Sequence, residues 1–181
     1  AFVPSVPTAP SGITTGSGTP PEIPPYSQPF IKPVSSPIGI STEIVPNNNV
    51  GRPPILRPNS AVYSNGYLPV SLLAPIIGRS PNASQNPFHL WHPAQSAFMS
   101  MYWTAAGQGI YMSLIDGYRT YDEQVTIYHR SGGDGSAATP GKSNHGWGIA
   151  VDFERLSDTW DATYAWLSAN AYKWNFYQLL D

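Results

Sequence analysis

Fourteen of the 20 prolines fall within the first 60 positions, and this partition limits the fold more than any other feature. Proline fixes φ and removes a backbone donor, so neither a regular helix nor a central strand is expected there. Most of the rest of that stretch is Ser, Thr, Gly, Asn and isolated aliphatics. Residues 1–60 therefore read as a Pro-rich extended arm, partly polyproline-like, or as a linker. Two uses stay open. A solvated linker needs no apolar anchors, whereas an arm docking along neighbouring subunits would use Ile23, Phe30, Ile38, Ile40, Ile44 and Ile55.

From Ala61 to Asp181 the texture is that of one globular domain. Pro93 to Ala106 reads as a helix with Ala97, Met101 and Ala105 on one stripe and Phe98 and Tyr102 beside it. Gly107 and Gly109 end it. Ile110 to Ile115 alternates as a strand. Thr120 and Glu123 have the spacing of a capping box, so a helix is expected from there to His129 or Arg130. Residues 131–136 form a loop, Trp147 to Phe153 a strand, and Ser157 or Asp158 caps a last helix running to Asn170. Trp174 to Leu179 opens a further strand. This order of elements predicts an α+β domain, a small antiparallel sheet packed with helices.

Charge and composition remove several function classes. A formal net charge of −2, with 11% charged residues, gives no basic face for nucleic acid. No apolar run is long enough to span a bilayer, and no signal peptide is visible, because the start at Ala1-Phe2-Val3-Pro4 lacks a basic region followed by an apolar stretch. With no cysteine there is no thiolate ligand or cysteine nucleophile.

The chemistry concentrates in Ser143-Asn144-His145-Gly146-Trp147-Gly148-Ile149-Ala150-Val151-Asp152. Imidazole and carboxylate suit Zn²⁺, which takes nitrogen and oxygen ligands. Gly146 and Gly148 allow a sharp turn after His145. On a strand, Gly148, Ala150 and Asp152 share a face, leaving space before the carboxylate. The competing reading is a surface or capping histidine and an aspartate bonding a neighbouring loop.

Ser143-x-His145-x-x-Gly148-x-Ala150-x-Asp152 resembles the signature of the zinc D-alanyl-D-alanine carboxypeptidases and L-alanyl-D-glutamate endopeptidases, the VanY-type family. Asp116-Gly117-Tyr118-Arg119-Thr120-Tyr121-Asp122-Glu123-Gln124 is similar to that family's Gly-Tyr-Arg-Ser-x-x-x-Gln stretch. The resemblance implies the VanY/hedgehog-like peptidase fold. It makes His145 and Asp152 zinc ligands, and it assigns Arg119 to a substrate carboxylate or carbonyl. Ser143 and Gln124 would line the same pocket. An ion pair of Arg119 with Asp122 or Glu123 is the alternative for that residue.

The family completes its metal site with a second His preceded by a catalytic Glu, in a Glu-x-x-His or Glu-x-Trp-His segment. No such segment occurs here, and His89, His92 and His129 do not occupy its place. The Zn²⁺ site is therefore expected to be incomplete in this chain, the catalytic Glu and the closing strands being expected beyond Asp181. The implied activity is zinc-dependent hydrolysis of peptidoglycan stem peptides, in a phage lysin or virion-associated protein acting on the bacterial wall. The alternative is a catalytically inactive structural or binding module of a virion.

Overall fold

The computed structural model describes residues 40–47, 51–77, 87–155 and 160–178. Among these residues the chain forms six short strands, paired two by two, and three α-helices. The strands are β1 (Thr42–Val45), β2 (Ile55–Pro58), β3 (Leu73–Pro75), β4 (His89–Trp91), β5 (Leu114–Asp116) and β6 (Asp152–Phe153). All three pairs are antiparallel. The helices are α1 (His92–Ala106), α2 (Tyr121–Arg130) and α3 (Trp160–Asn170). The α+β expectation is met, as separate two-stranded ribbons held together by helices.

Helix α1 forms where its periodicity predicts, with proline in the first turn where its missing N–H costs nothing. Its Phe98, Met101, Tyr102 and Ala105 are buried. They meet Ile76, Phe88, Leu90, Met112, Leu114, Trp166 and Ala171 in the main core. The predicted capping box is present at the start of α2: Glu123 N–H donates to Thr120 Oγ1, and Thr120 N–H donates to the Glu123 carboxylate at 2.8 Å. The expected caps of α3, Ser157 and Asp158, lie outside the described residues.

Four expectations change. The Pro-rich stretch contains a hairpin: Thr42 pairs with Pro58 and Val45 with Ile55. Its prolines do not break the ladder, because Pro46, Pro53 and Pro54 lie in the connection and Pro58 ends a strand. Of the proposed anchors, Ile40 and Ile55 are half-buried and Ile44 exposed, while Ile23, Phe30 and Ile38 lie outside the described residues.

The strand expected over Trp147 to Phe153 shrinks to Asp152–Phe153. His145–Trp147 is instead a 3₁₀ turn closed by Gly148 in the left-handed region at φ 64°. Gly148, Ala150 and Asp152 therefore do not share one strand face. The strand expected from Ile110 to Ile115 starts only at Leu114, although Met112 and Leu114 are both fully buried.

No strand follows α3 among the described residues. Ala171–Trp174 is a 3₁₀ turn, and Asn175, at φ 61°, donates to Tyr172 O and bends the chain away. Leu179 lies outside the described residues.

Candidate metal centre and its frame

The β5–β6 ribbon sets Asp116 opposite Asp152. The turn Ser143–Gly148 brings His145 to the same place. His145 Nδ1 lies 2.7 Å from Gly117 O. A carbonyl only accepts, so Nδ1 must carry the hydrogen, and the neutral ring presents its Nε2 lone pair on the other side. That lone pair faces Asp152 Oδ1 at 3.4 Å. Two acceptors opposed in this way call for a positive charge between them, either a proton on Nε2 or a metal cation. A ring held through its other nitrogen by a backbone carbonyl is the usual support of a metal-binding histidine. Asp116, His145 and Asp152 each offer a ligand atom, and the three atoms lie within 4.8 Å of one another. The His145 nitrogen and the Asp152 oxygen are donors that zinc accepts, whereas Asp116 is engaged by Arg119.

Arg119 lies beside these groups and is almost buried. Its Nε and Nη2 donate to Asp116 Oδ2 at 2.9 and 2.6 Å, and Nη1 donates to Gln124 Oε1 at 2.6 Å. Nη2 also lies 3.5 Å from Asp152 Oδ2. The ion pair considered with Asp122 or Glu123 is thus formed with Asp116 instead. Asp116 accepts from Gly117 N–H as well, which fixes the carboxylate that fixes the guanidinium. Partial withdrawal from water works against the charge on Asp152, but a hydrogen bond and positive charge from His145 with a proton on Nε2, and the charge of the Arg119 guanidinium, outweigh it. Together they hold its carboxyl below the usual range.

Gln124 and Ser143 are both buried and both engaged within the protein. The Gln124 amide donates to Ala138 O while its oxygen receives Arg119. Ser143 Oγ accepts from His145 N–H at 3.2 Å. A cavity of about 200 Å³ opens against Arg119, walled by Asp116, Glu123, Thr126, Ile127 and Arg130. His89 lies in β4, while His92 and His129 are exposed on α1 and α2.

Sequence reasoning assigned no role to Asp116. Its signal was present: a carboxylate three residues before an arginine, at a strand end, reaches the same guanidinium. Asn65 was missed without any local signal, being 78 residues from the Ser143 carbonyl it binds.

Residues 88–179 match the family VanY, described as D-alanyl-D-alanine carboxypeptidase. The chain belongs to the VanY family. Among curated proteins it is similar to "Putative carboxypeptidase YodJ" of Bacillus subtilis (strain 168), with 28% identity over 125 residues. That alignment covers 61% of this chain but only 46% of YodJ, so the chain spans about half the length of this relative. Among solved structures it resembles the LdcB LD-carboxypeptidase, described for its peptidoglycan recognition, at 27% identity and a TM-score of 0.49. The match covers 61% of this chain and 58% of LdcB. A vancomycin-resistance D,D-pentapeptidase VanY in complex with Zn(II) is similar at 23% identity and a TM-score of 0.41, over 55% of this chain and 68% of that one. Both motif segments lie inside the VanY match.

Gly148 keeps the VanY turn in register. At φ 64°, an added Cβ would lie 2.7 Å from Trp91 N, the group that donates to Gly148 O. Gly148→Ala is expected to cost about 1–2 kcal/mol for the left-handed backbone and about 1–3 kcal/mol more for the collision. Gly109→Ala isolates the first cost, since Gly109 has φ 80° and no neighbour within 4 Å of such a Cβ. Urea unfolding of both variants checks this, and equal losses would show that the close approach to Trp91 is unimportant.

Proposed function

We propose that this VanY domain supplies two of the zinc ligands, His145 and Asp152, and the substrate-orienting Arg119 of a zinc-dependent peptidase that acts on peptidoglycan stem peptides. The observation that carries the reading is the opposition of His145 Nε2 and Asp152 Oδ1, beside a guanidinium immobilised on two sides. Zinc bound there would polarise a scissile carbonyl and activate water. The protein's own part is orientation. Gly117 O aims the imidazole, and Asp116 with Gln124 aims Arg119, whose remaining N–H groups suit a substrate carboxylate or carbonyl. Ser143 supports the turn that carries His145. The substrate places the site of action outside the cell, at the bacterial wall. Among the described residues no helix is long and apolar enough to cross a membrane. A phage or virion setting rests only on the composition of residues 1–60.

A second reading, a stem-peptide-binding module without turnover, is favoured by one observation. Asp116, the carboxylate nearest to His145 and Asp152, is committed to Arg119 and Gly117 N–H and so is not a free general base. The test is calorimetric titration of a stem peptide ending in D-Ala-D-Ala, with and without zinc, alongside an assay for released D-alanine. The binding half of the reading requires zinc-dependent affinity, and D-alanine release decides for the peptidase over the binding module. Arg119→Ala is expected to retain zinc and weaken peptide affinity roughly 10–100-fold, the worth of about 1.5–3 kcal/mol for a charge-assisted hydrogen bond. Absence of zinc-dependent binding and of hydrolysis would reject both readings.

A further inference from the structure

We propose that Asn65 is a positioning residue for His145, and that Asn65–Leu68 clamps together the two segments that build the site. The proposal rests on the reading of His145 as a zinc ligand. Asn65 lies outside the segment matched to the VanY family. It is buried, and its Nδ2 donates to Ser143 O at 2.7 Å. Its Oδ1 fills the space beside Gly146 where any other residue would carry Cβ. The next residue continues the contact, Gly66 N donating to Gly146 O at 2.8 Å. The backbone carbonyls on either side of His145 are thus both held by this one dipeptide.

The opposite edge of the same segment holds the arginine turn. Gly66 O accepts from Tyr121 N at 3.0 Å, and Leu68 N donates to Tyr118 Oη at 3.0 Å. Arg119 N then closes the arrangement by donating to His145 O at 3.1 Å. The direction of the His145 ring follows from this frame. The ring is held at Nδ1 by Gly117 O and faces Asp152 at 3.4 Å through Nε2, and both contacts depend on the place of the Ser143–Gly146 turn. Outer partners of this kind set ligand direction, and losing one typically weakens metal binding about 10–100-fold.

Two replacements test the role, with Asn59→Ala as control. Asn59 also bonds a backbone N–H through its side chain, to Ala61, but in an exposed turn, with no side-chain bond to the Ser143–Gly148 turn. Asn65→Ala removes both contacts. Asn65→Asp keeps the shape, removes the donor and adds a negative charge, which by Coulomb attraction alone would tighten cation binding. Zinc affinity is measured by competition with a chromophoric chelator. The His145 ring is followed by NMR of nitrogen-15-labelled histidine in the metal-free protein at alkaline pH.

The expected result is a fixed Nδ1–H signature in the wild type and in Asn59→Ala. Both Asn65 variants should show averaged ring-nitrogen shifts and zinc binding weaker by about tenfold or more. Weaker binding in Asn65→Asp, against the added charge, reads lost positioning directly. If the ring signature of Asn65→Asp equals that of the wild type, the proposal is overturned, whatever zinc does. If the wild type binds no zinc while Asn65→Asp still releases the ring, the zinc reading fails and the positioning role stands.

Discussion

His145→Ala is expected to lower zinc affinity by more than about 100-fold, beyond what losing an outer partner costs. The imidazole is the one nitrogen donor of the cluster, and its removal leaves two carboxylates that hold a guanidinium between them. Such a pair is already partly neutralised and has little need of a second cation. Chelator competition measures the change. Asp116→Asn should retain zinc and instead loosen Arg119, because Asp116 is occupied by that side chain. Unchanged zinc affinity in His145→Ala would remove the metal assignment, and with it the first reading of the function.

Phe98→Ala is expected to destabilise the domain by about 3–5 kcal/mol, read as a lower urea midpoint at unchanged slope. Phe98 is fully buried at the meeting point of three other rings, with centroids 6.2 Å to Tyr102, 6.4 Å to Phe153 and 6.1 Å to Phe176. Removing it empties a space that α1, β6 and the segment after α3 all border, so collapse from one side cannot fill it. A second consequence concerns the site. Phe153 adjoins Asp152, and its packing on Phe98 anchors the two-residue strand that presents the carboxylate. Zinc affinity should therefore fall along with stability even where the variant remains folded. A loss near 1 kcal/mol would mean that the core relaxes around the vacancy.

The parts legible in advance share a physical character. The capping box at Thr120 and Glu123 and the stripe on α1 are local, because side chains three or four residues apart decide them. The pairing of His145 with Asp152 was legible through the spacing of chemically distinctive residues, and the geometry brings the two to 3.4 Å. The intervening strand was not. Period-two reasoning assumes extended backbone, whereas Gly148 takes a left-handed conformation against Trp91, the last residue of β4. The hairpin at Thr42–Pro58 escaped for a related reason. Counting prolines says how many donors are missing but not which positions of a ladder need them. Here the ladder is tied to the site, as Arg57 bonds Glu43 across the strands and lies over the Trp147 ring at 4.7 Å.

By itself, then, the amino-acid order determined the helices, the α+β class and the two chemically distinctive groups, His145 and Asp152, that the fold brings together. Each depends on interactions within a few positions or on side-chain chemistry that does not change with context. Only the tertiary structure decided what those residues are bonded to. Arg119 is held by Asp116 and Gln124, His145 is aimed by Gly117 O, and the turn around it is held by Asn65. Those partners are fixed by how distant segments pack, since a carbonyl or amide carries no mark in sequence of the group that will reach it.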